Sequence, residues 1–439
     1  MLHFKKGSFP FLRSFSLLNY SVCLVVLFFL SLVSVWTIFS SGILPYYDHS
    51  CHFVYSWYYV EYCSFSDIFY LYFPYNFLGA VNYQPHPLSY VVVRLLSRLV
   101  GVVLGYKFAL VLVYMLFGFS VFFLSRSVGL SPLQSFYAAM VAMSPWGEEN
   151  ANFGLFFHIF IVGMWAWPLA VSLTVLSSVA FHRALQDLRY ASLAGFLFAL
   201  AFLAHPSSIY PILAILAANA VYAWRSIRRW MVATVVVALE FILATAPLIL
   251  PFTHLSAYIP YRNILKMWLF PPRMLAKALL LDLMPTWYLI AAIPGLWLMP
   301  EKARYLLEAS SILLLAFATP LIKALAARNI LSTVIGAATL GKYTTFMRVY
   351  ISIPAAIALE KLARRRYAKL AVAAAMLAPY LLWSDLGYPL VHERMLRTDL
   401  EYPLTKEILR LFNWMKRSIP PLSRVATQGL YGYRRTRGL

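Results

Sequence analysis

The sequence predicts an all-α, polytopic membrane bundle of about eleven transmembrane helices. Three observations predict it. Hydrophobic residues make up 62% of the chain and charged residues only 12%, well under the charged share of about 25% in a soluble domain. The apolar residues fall into long stretches, many of them near the length of about 20 residues that crosses hydrocarbon. The basic excess, 37 Lys and Arg against 16 Asp and Glu for a net charge of +21, collects between alternate stretches, as in cytoplasmic loops facing anionic lipid. Nucleic-acid binding, the other usual meaning of such a charge, is set aside because no soluble basic module is visible.

The first apolar run, from about Ser16 to Ser40, follows Lys5, Lys6 and Arg13. It is too long for a signal-peptide core and lacks a small-residue cleavage site, so it reads as a retained anchor. Residues 42–106 then form a long first extracytoplasmic loop. Its last part, 88–106, is apolar but carries Arg94 and Arg98 one helical turn apart, which predicts an amphipathic helix lying at the interface rather than a span. Further spans are predicted at 107–125, 132–144, 155–181, 190–204, 207–224, 230–252, 285–299, 304–325, 343–360 and 367–384.

With the N-terminus in the cytoplasm, the inner loops carry Arg126, Arg183, Arg189, Arg225, Arg228, Arg229, Lys302, Arg304, Lys361, Arg364, Arg365, Arg366 and Lys369. The outer turns carry Glu148, Glu149 and the uncharged His205-Pro206-Ser207-Ser208. The chain divides into a transmembrane domain, 1–384, and a short extracytoplasmic tail, 385–439. The tail is basic, against the charge rule, which long translocated segments obey poorly. It contains a predicted amphipathic helix near Thr405–Arg417 and reads as a flexible end or the stub of a longer domain.

The first loop is the densest in chemistry. It holds Asp48, His49, His52, Glu61, Asp67 and His86. A helix beginning near Asp48 would put Asp48 and His52 on one face. Asp48 is then a general base or the holder of a divalent metal, with His52 or His49 assisting, or simply an N-cap. Cys51 and Cys63 share this loop and are either bridged or two unpaired thiols; two thiols are too few for structural zinc. Pro85 and Pro87 flank His86 and fix an extended entry to the interfacial helix. His205-Pro206 ends one apolar stretch and opens the next, which makes His205 a cap, a packed side chain or a site residue. The loop 253–284 places His254, Arg262, Lys266, Arg273 and Lys277 beside tyrosines on the outer side, suited to a phosphate or pyrophosphate headgroup or to snorkelling toward lipid. Arg348 lies two turns into a late apolar stretch that begins at Lys342 and Tyr343, where a charge needs a cavity or a partner. No Walker loop, no Gly-x-Ser-x-Gly elbow, no His-Glu-x-x-His and no selectivity filter occurs.

These pieces resemble the membrane glycosyltransferases of the GT-C fold, and among them the prokaryotic membrane proteins described as 6-pyruvoyl-tetrahydropterin synthase-related. The likeness rests on short patches between residues 16 and 384: Asp48 followed by His52; Tyr83, Pro85, Pro87, Leu88, Ser89 and Tyr90; Ala204-His205-Pro206; and Arg348 near the start of a late span. The family often pairs its loop acid with a second one, whereas Tyr47 and His49 flank Asp48 here. The resemblance implies a GT-C-like bundle that transfers a sugar from a polyprenyl-phosphate donor on the extracytoplasmic face. It gives Asp48 alone the role of base or metal ligand; the residue pattern adds His52 as a second ligand, with magnesium or manganese as the candidate metal. Substrate contacts are expected from His49, His52, His86, His205, Arg262, Lys266, Arg273 and Arg348. A transporter or flippase of a lipid-linked substrate is the alternative, and a non-catalytic membrane scaffold the third.

Overall fold

The computed structural model describes residues 14–39, 48–64, 86–144, 155, 159–160, 163–255, 286–300, 302–326, 340–365 and 368–382, with Arg410, Trp414, Arg417 and Ser418 in the tail. Among the described residues the chain is all-helical, with thirteen α-helices and no strand. They are α1 (Ser14–Val35), α2 (Asp48–Tyr62), α3 (Pro87–Val100), α4 (Val102–Ser127), α5 (Pro132–Met143), α6 (Ala166–Ala184) and α7 (Arg189–Ala204). Then come α8 (Ile209–Tyr222), α9 (Ile227–Leu255), α10 (Thr286–Trp297), α11 (Lys302–Ala326), α12 (Leu340–Ala363) and α13 (Lys369–Leu382). Each predicted apolar stretch overlaps at least one of these helices.

Two described helical segments are long and apolar enough to cross a membrane, Val102–Ser127 and Trp224–Pro247. They are used differently. α4 is 67% buried and runs through the middle of the bundle, whereas the α9 segment is 17% buried and lies on its outside against α7. The buried side of α4 carries Tyr106, Leu110, Tyr114, Phe117 and Val121, which join the main core with residues of α1, α5, α6, α7 and α12. Burial of a broad apolar face suits a helix packed among several neighbours. Small residues set the closest approaches. Gly118 faces the Met143 sulfur and Gly295 the Pro354 carbonyl, where a methyl group would overlap both.

Two predicted boundaries differ from the structure. The helix predicted over 88–106 ends at Val100, and the next starts at Val102 rather than 107. The break is Gly101, whose φ of +83° suits only glycine. Its N–H caps the Ser97 carbonyl at 2.8 Å. The chain then folds back closely enough that a methyl group on Gly105 would fall 2.5 Å from the Ser97 hydroxyl oxygen. The second difference is α6, which starts at Ala166 rather than near 155 and runs on to Ala184.

The helix ends that carry the basic loops gather at one end of the bundle. Arg304, near the start of α11, donates to the Ser127 carbonyl at the end of α4, 3.1 Å away. Arg229 of α9 reaches the Leu185 carbonyl after α6 at 3.3 Å. α5 starts at the same end with a capping box, Ser131 and Gln134 bonding reciprocally at 2.9 and 3.2 Å. These arginines occupy helix C-terminal carbonyls, where a cation is favoured.

Candidate functional site

Four of the histidines named in the sequence meet at the opposite end, brought there by three separate joints of the chain. α2 begins at Asp48, so Asp48 and His52 lie one turn apart on that helix; the Asp48 side chain lies outside the described residues. His49 is fully buried against α4. Its Nδ1 is 2.9 Å from the Tyr106 hydroxyl, and Phe53, one turn on, packs edge-on to the same ring at 5.7 Å. His52, half-buried, turns toward α3 instead and has Nδ1 3.0 Å from the Tyr90 hydroxyl. Tyr58, Tyr59 and Tyr90 close a small aromatic core between α2 and α3. Arg94 of α3 lies over the Tyr59 ring at 4.7 Å and donates to its carbonyl at 3.3 Å.

His86 precedes α3, with Pro87 in the first turn as expected. Its Nδ1–H donates to the Ala204 carbonyl at 3.1 Å. That carbonyl ends α7 and has no partner within the helix, so His86 satisfies an orphan acceptor. The same bond sets its imidazole face to face with His205, ring centres 4.5 Å apart. His205 is the residue at which α7 stops and the Pro206–Ser208 turn begins, and its Nδ1 accepts from the Ser207 N–H at 3.2 Å. Of the three roles read for His205, the cap is therefore present. The two bonds define opposite tautomers: a neutral His86 carries its proton on Nδ1 and a neutral His205 on Nε2. Trp165 and Trp167 close the cluster from the start of α6, Trp165 at 6.3 Å from His52 and Trp167 at 5.2 Å from His205.

Burial decides the charge here. It lowers the pKa of His49 to about 3, with a hydrogen bond to the Phe160 backbone opposing the shift and His52 adding slightly to it. Burial likewise lowers that of His52 to about 4. Both are neutral imidazoles at neutral pH and act by hydrogen bonding rather than by charge. Among the described residues no three His, Cys, Asp or Glu side chains are grouped so as to hold a metal ion.

The other expected site residues divide. Arg262, Lys266 and Arg273 lie outside the described residues, as do the side chains of His254, Lys342 and Cys51, and with Cys51 the question of its pairing. Arg348 is fully buried, and it has the partner that its position demanded: the guanidinium donates to the Ser144 carbonyl just past α5. Tyr114 and Tyr380 donate to the neighbouring Met143 and Met140 carbonyls, each at 2.5 Å. Arg348 thus belongs to a clamp on the α5 C-terminus. It adjoins the histidines through Phe346, whose ring meets Trp167 at 5.9 Å.

A second polar centre was not anticipated. At the basic end Glu308 of α11 is 1% exposed and receives donors from three other helices. His182 Nε2 of α6 lies 2.5 Å from Oε1, Asn219 of α8 donates to Oε1 at 2.7 Å, and the Tyr350 hydroxyl of α12 donates to Oε2 at 3.0 Å. The available signal was one acid inside an apolar stretch, which asks for an interior partner.

No protein-family model matches the chain, and no curated protein matches it.

Proposed function

We propose that the chain is a membrane-embedded, GT-C-like glycosyltransferase that takes a sugar from a polyprenyl-phosphate donor on the extracytoplasmic face. In this reading α2 and α3 lie at the outer surface and the other helices, about eleven, cross the bilayer. The basic helix ends lie in the cytoplasm with the N-terminus. The observation that carries the reading is the meeting of His49, His52, His86 and His205 around the start of α2, where Asp48 stands. Asp48, His52 and His205 belong to patches, far apart in sequence, on which the GT-C resemblance rests, and His86 lies inside a third.

The chemistry assigned to the site is an inverting displacement. The Asp48 carboxylate takes the proton of an acceptor hydroxyl. The acceptor oxygen forms its bond to the anomeric carbon, and the bond from that carbon to the donor phosphate breaks, its electron pair leaving on the phosphate. Arg262, Lys266 and Arg273 are assigned to the leaving phosphate. His52, kept neutral by burial, and His86 are assigned to sugar hydroxyls. Arg348, bound to the Ser144 carbonyl, holds α5 to α12.

The test is transfer from a polyprenyl-phosphate-linked sugar by the full chain in nanodiscs. Asp48→Asn is expected to lose at least about 100-fold in rate while eluting as the wild type does. Undiminished transfer by that variant removes Asp48 from the mechanism. Activity that survives chelation makes Asp48 a base, and loss restored by magnesium or manganese makes it a metal ligand. One observation favours a lipid-linked-substrate transporter as the second reading. The buried Glu308–His182 pair is the kind of group that proton-coupled carriers use. Flipping of the labelled lipid by wild type without transfer would select it.

A further inference from the structure

The Glu308 centre lies away from the histidine cluster and is not used by the proposed reaction. It contains more than an ion pair. His182 reaches Glu308 with Nε2 and approaches the Ser127 hydroxyl with Nδ1 at 3.5 Å, while Ser178 lies 3.2 Å from Nε2. Glu308 and His182 are 1% and 4% exposed, so their separation of 2.5 Å is a contact within a dry interior. At that spacing one proton lies between carboxylate and imidazole.

The titratable and charged groups facing Glu308 are few. α6 brings His182 and α12 brings Tyr350, and Arg304 and Tyr305 of α11 itself lie close enough to act on it electrostatically. α8 brings the neutral Asn219, with Tyr222 under the Arg304 guanidinium at 5.7 Å. Asn219 Oδ1, Tyr305 Oη and Arg304 Nε are buried without a hydrogen-bond partner among the described residues. A buried polar atom left in that state calls for a reason. The pattern at this centre is one acceptor and two donors arranged around a carboxylate, next to the helix ends that carry the arginines. That is the inventory of a site that exchanges protons.

We propose that Glu308 and His182 form a proton-binding site, reached from the basic end, whose occupancy sets the packing of α6, α8, α11 and α12. A proton from solvent adds to a Glu308 oxygen, and the centre gains one positive charge. The bonds from His182, Asn219 and Tyr350 then lose the charge that strengthens them. The four helices they join separate at this end, independently of what the histidine cluster does.

Two measurements on the full chain in nanodiscs test this. The first is an infrared difference spectrum on acidification. Wild type should show a protonated-carboxyl band that Glu308→Gln lacks and Glu308→Asp retains at a shifted position. The second is thiol labelling of Ala184→Cys, with Cys23, Cys51 and Cys63 replaced by serine. Ala184 is fully buried, two residues from His182. Its labelling, referenced to Gln186→Cys on the surface, should rise about tenfold per pH unit as protons are taken up, and should be fast at every pH with Glu308→Gln. A band unaffected by Glu308→Gln overturns the proposal. So does slow, pH-independent labelling in both forms, which leaves only a structural clasp.

Discussion

The two polar centres of this bundle solve the cost of buried polarity in opposite ways. The histidine cluster sits where helices end. His49 and His52 are neutral there, and the cluster bonds to tyrosine hydroxyls, a helix-terminal carbonyl and a turn N–H. The Glu308 centre sits inside helices and keeps a charge, held by three directed donors from three other helices. The lesson is that helix ends supply partners from the backbone, so neutral side chains suffice there. A helix interior has no spare backbone groups, and a carboxylate in it must recruit side chains from every neighbour.

The comparison breaks first at Glu308. Glu308→Ala leaves His182 and Arg304 without their anion, which should cost about 3–5 kcal/mol. Thermal unfolding in detergent measures it, and a loss under about 1 kcal/mol would mean that the centre behaves like an exposed pair.

Acid sharpens the contrast. His52 titrates at about 4 and His49 at about 3 in the fold, against 6.5 when unperturbed. The unfolded chain therefore binds more protons between those values. Stability is fully present above about pH 6.5 and falls as pH drops, by up to about 1.4 kcal/mol per pH unit for each histidine. The His52 contribution ends near its folded value and that of His49 continues to about 3. Measured on Glu308→Gln, so that the carboxylate takes no part, a flat profile from about pH 7 to pH 4 would show that the two imidazoles are not buried neutral.

The smallest effect belongs to a single cap. His86→Ala removes one bond to the Ala204 carbonyl and one ring stack, and should cost about 1–2 kcal/mol. His86→Asn can still donate and should recover part of that. Equal losses in the two variants would assign the stability to packing alone.

Much of the helical layout was legible in the sequence, because apolar length and period are local. The α3–α4 boundary was not. Val100, Val102, Val103 and Leu104 are apolar on both sides of Gly101, so hydropathy runs straight across a break made by one backbone angle. The start of α6 was misjudged for the same reason: residues 155–165 are as apolar as the helix that follows. At the candidate site, His49, His52, His86 and His205 were each readable as residues beside a helix end or a proline. Their convergence was not, since it depends on α7 ending where α3 begins. Glu308, His182, Asn219 and Tyr350 were passed over because each helix contributes one polar residue to an apolar surface, and no spacing within any one helix records the meeting.

Gly101 and Gly105 are four residues apart, and both resist replacement for unrelated reasons. Gly101 has open space where a side chain would begin, but its φ of +83° is wrong for an L-residue. Gly105 has an ordinary backbone, but Ser97 fills the space beside it. Chirality separates the two. A mirror-image D-alanine, introduced by semisynthesis, should be accepted at Gly101, where its natural enantiomer costs about 1–2 kcal/mol. At Gly105 the natural L-alanine should not be accepted without prying α3 from α4.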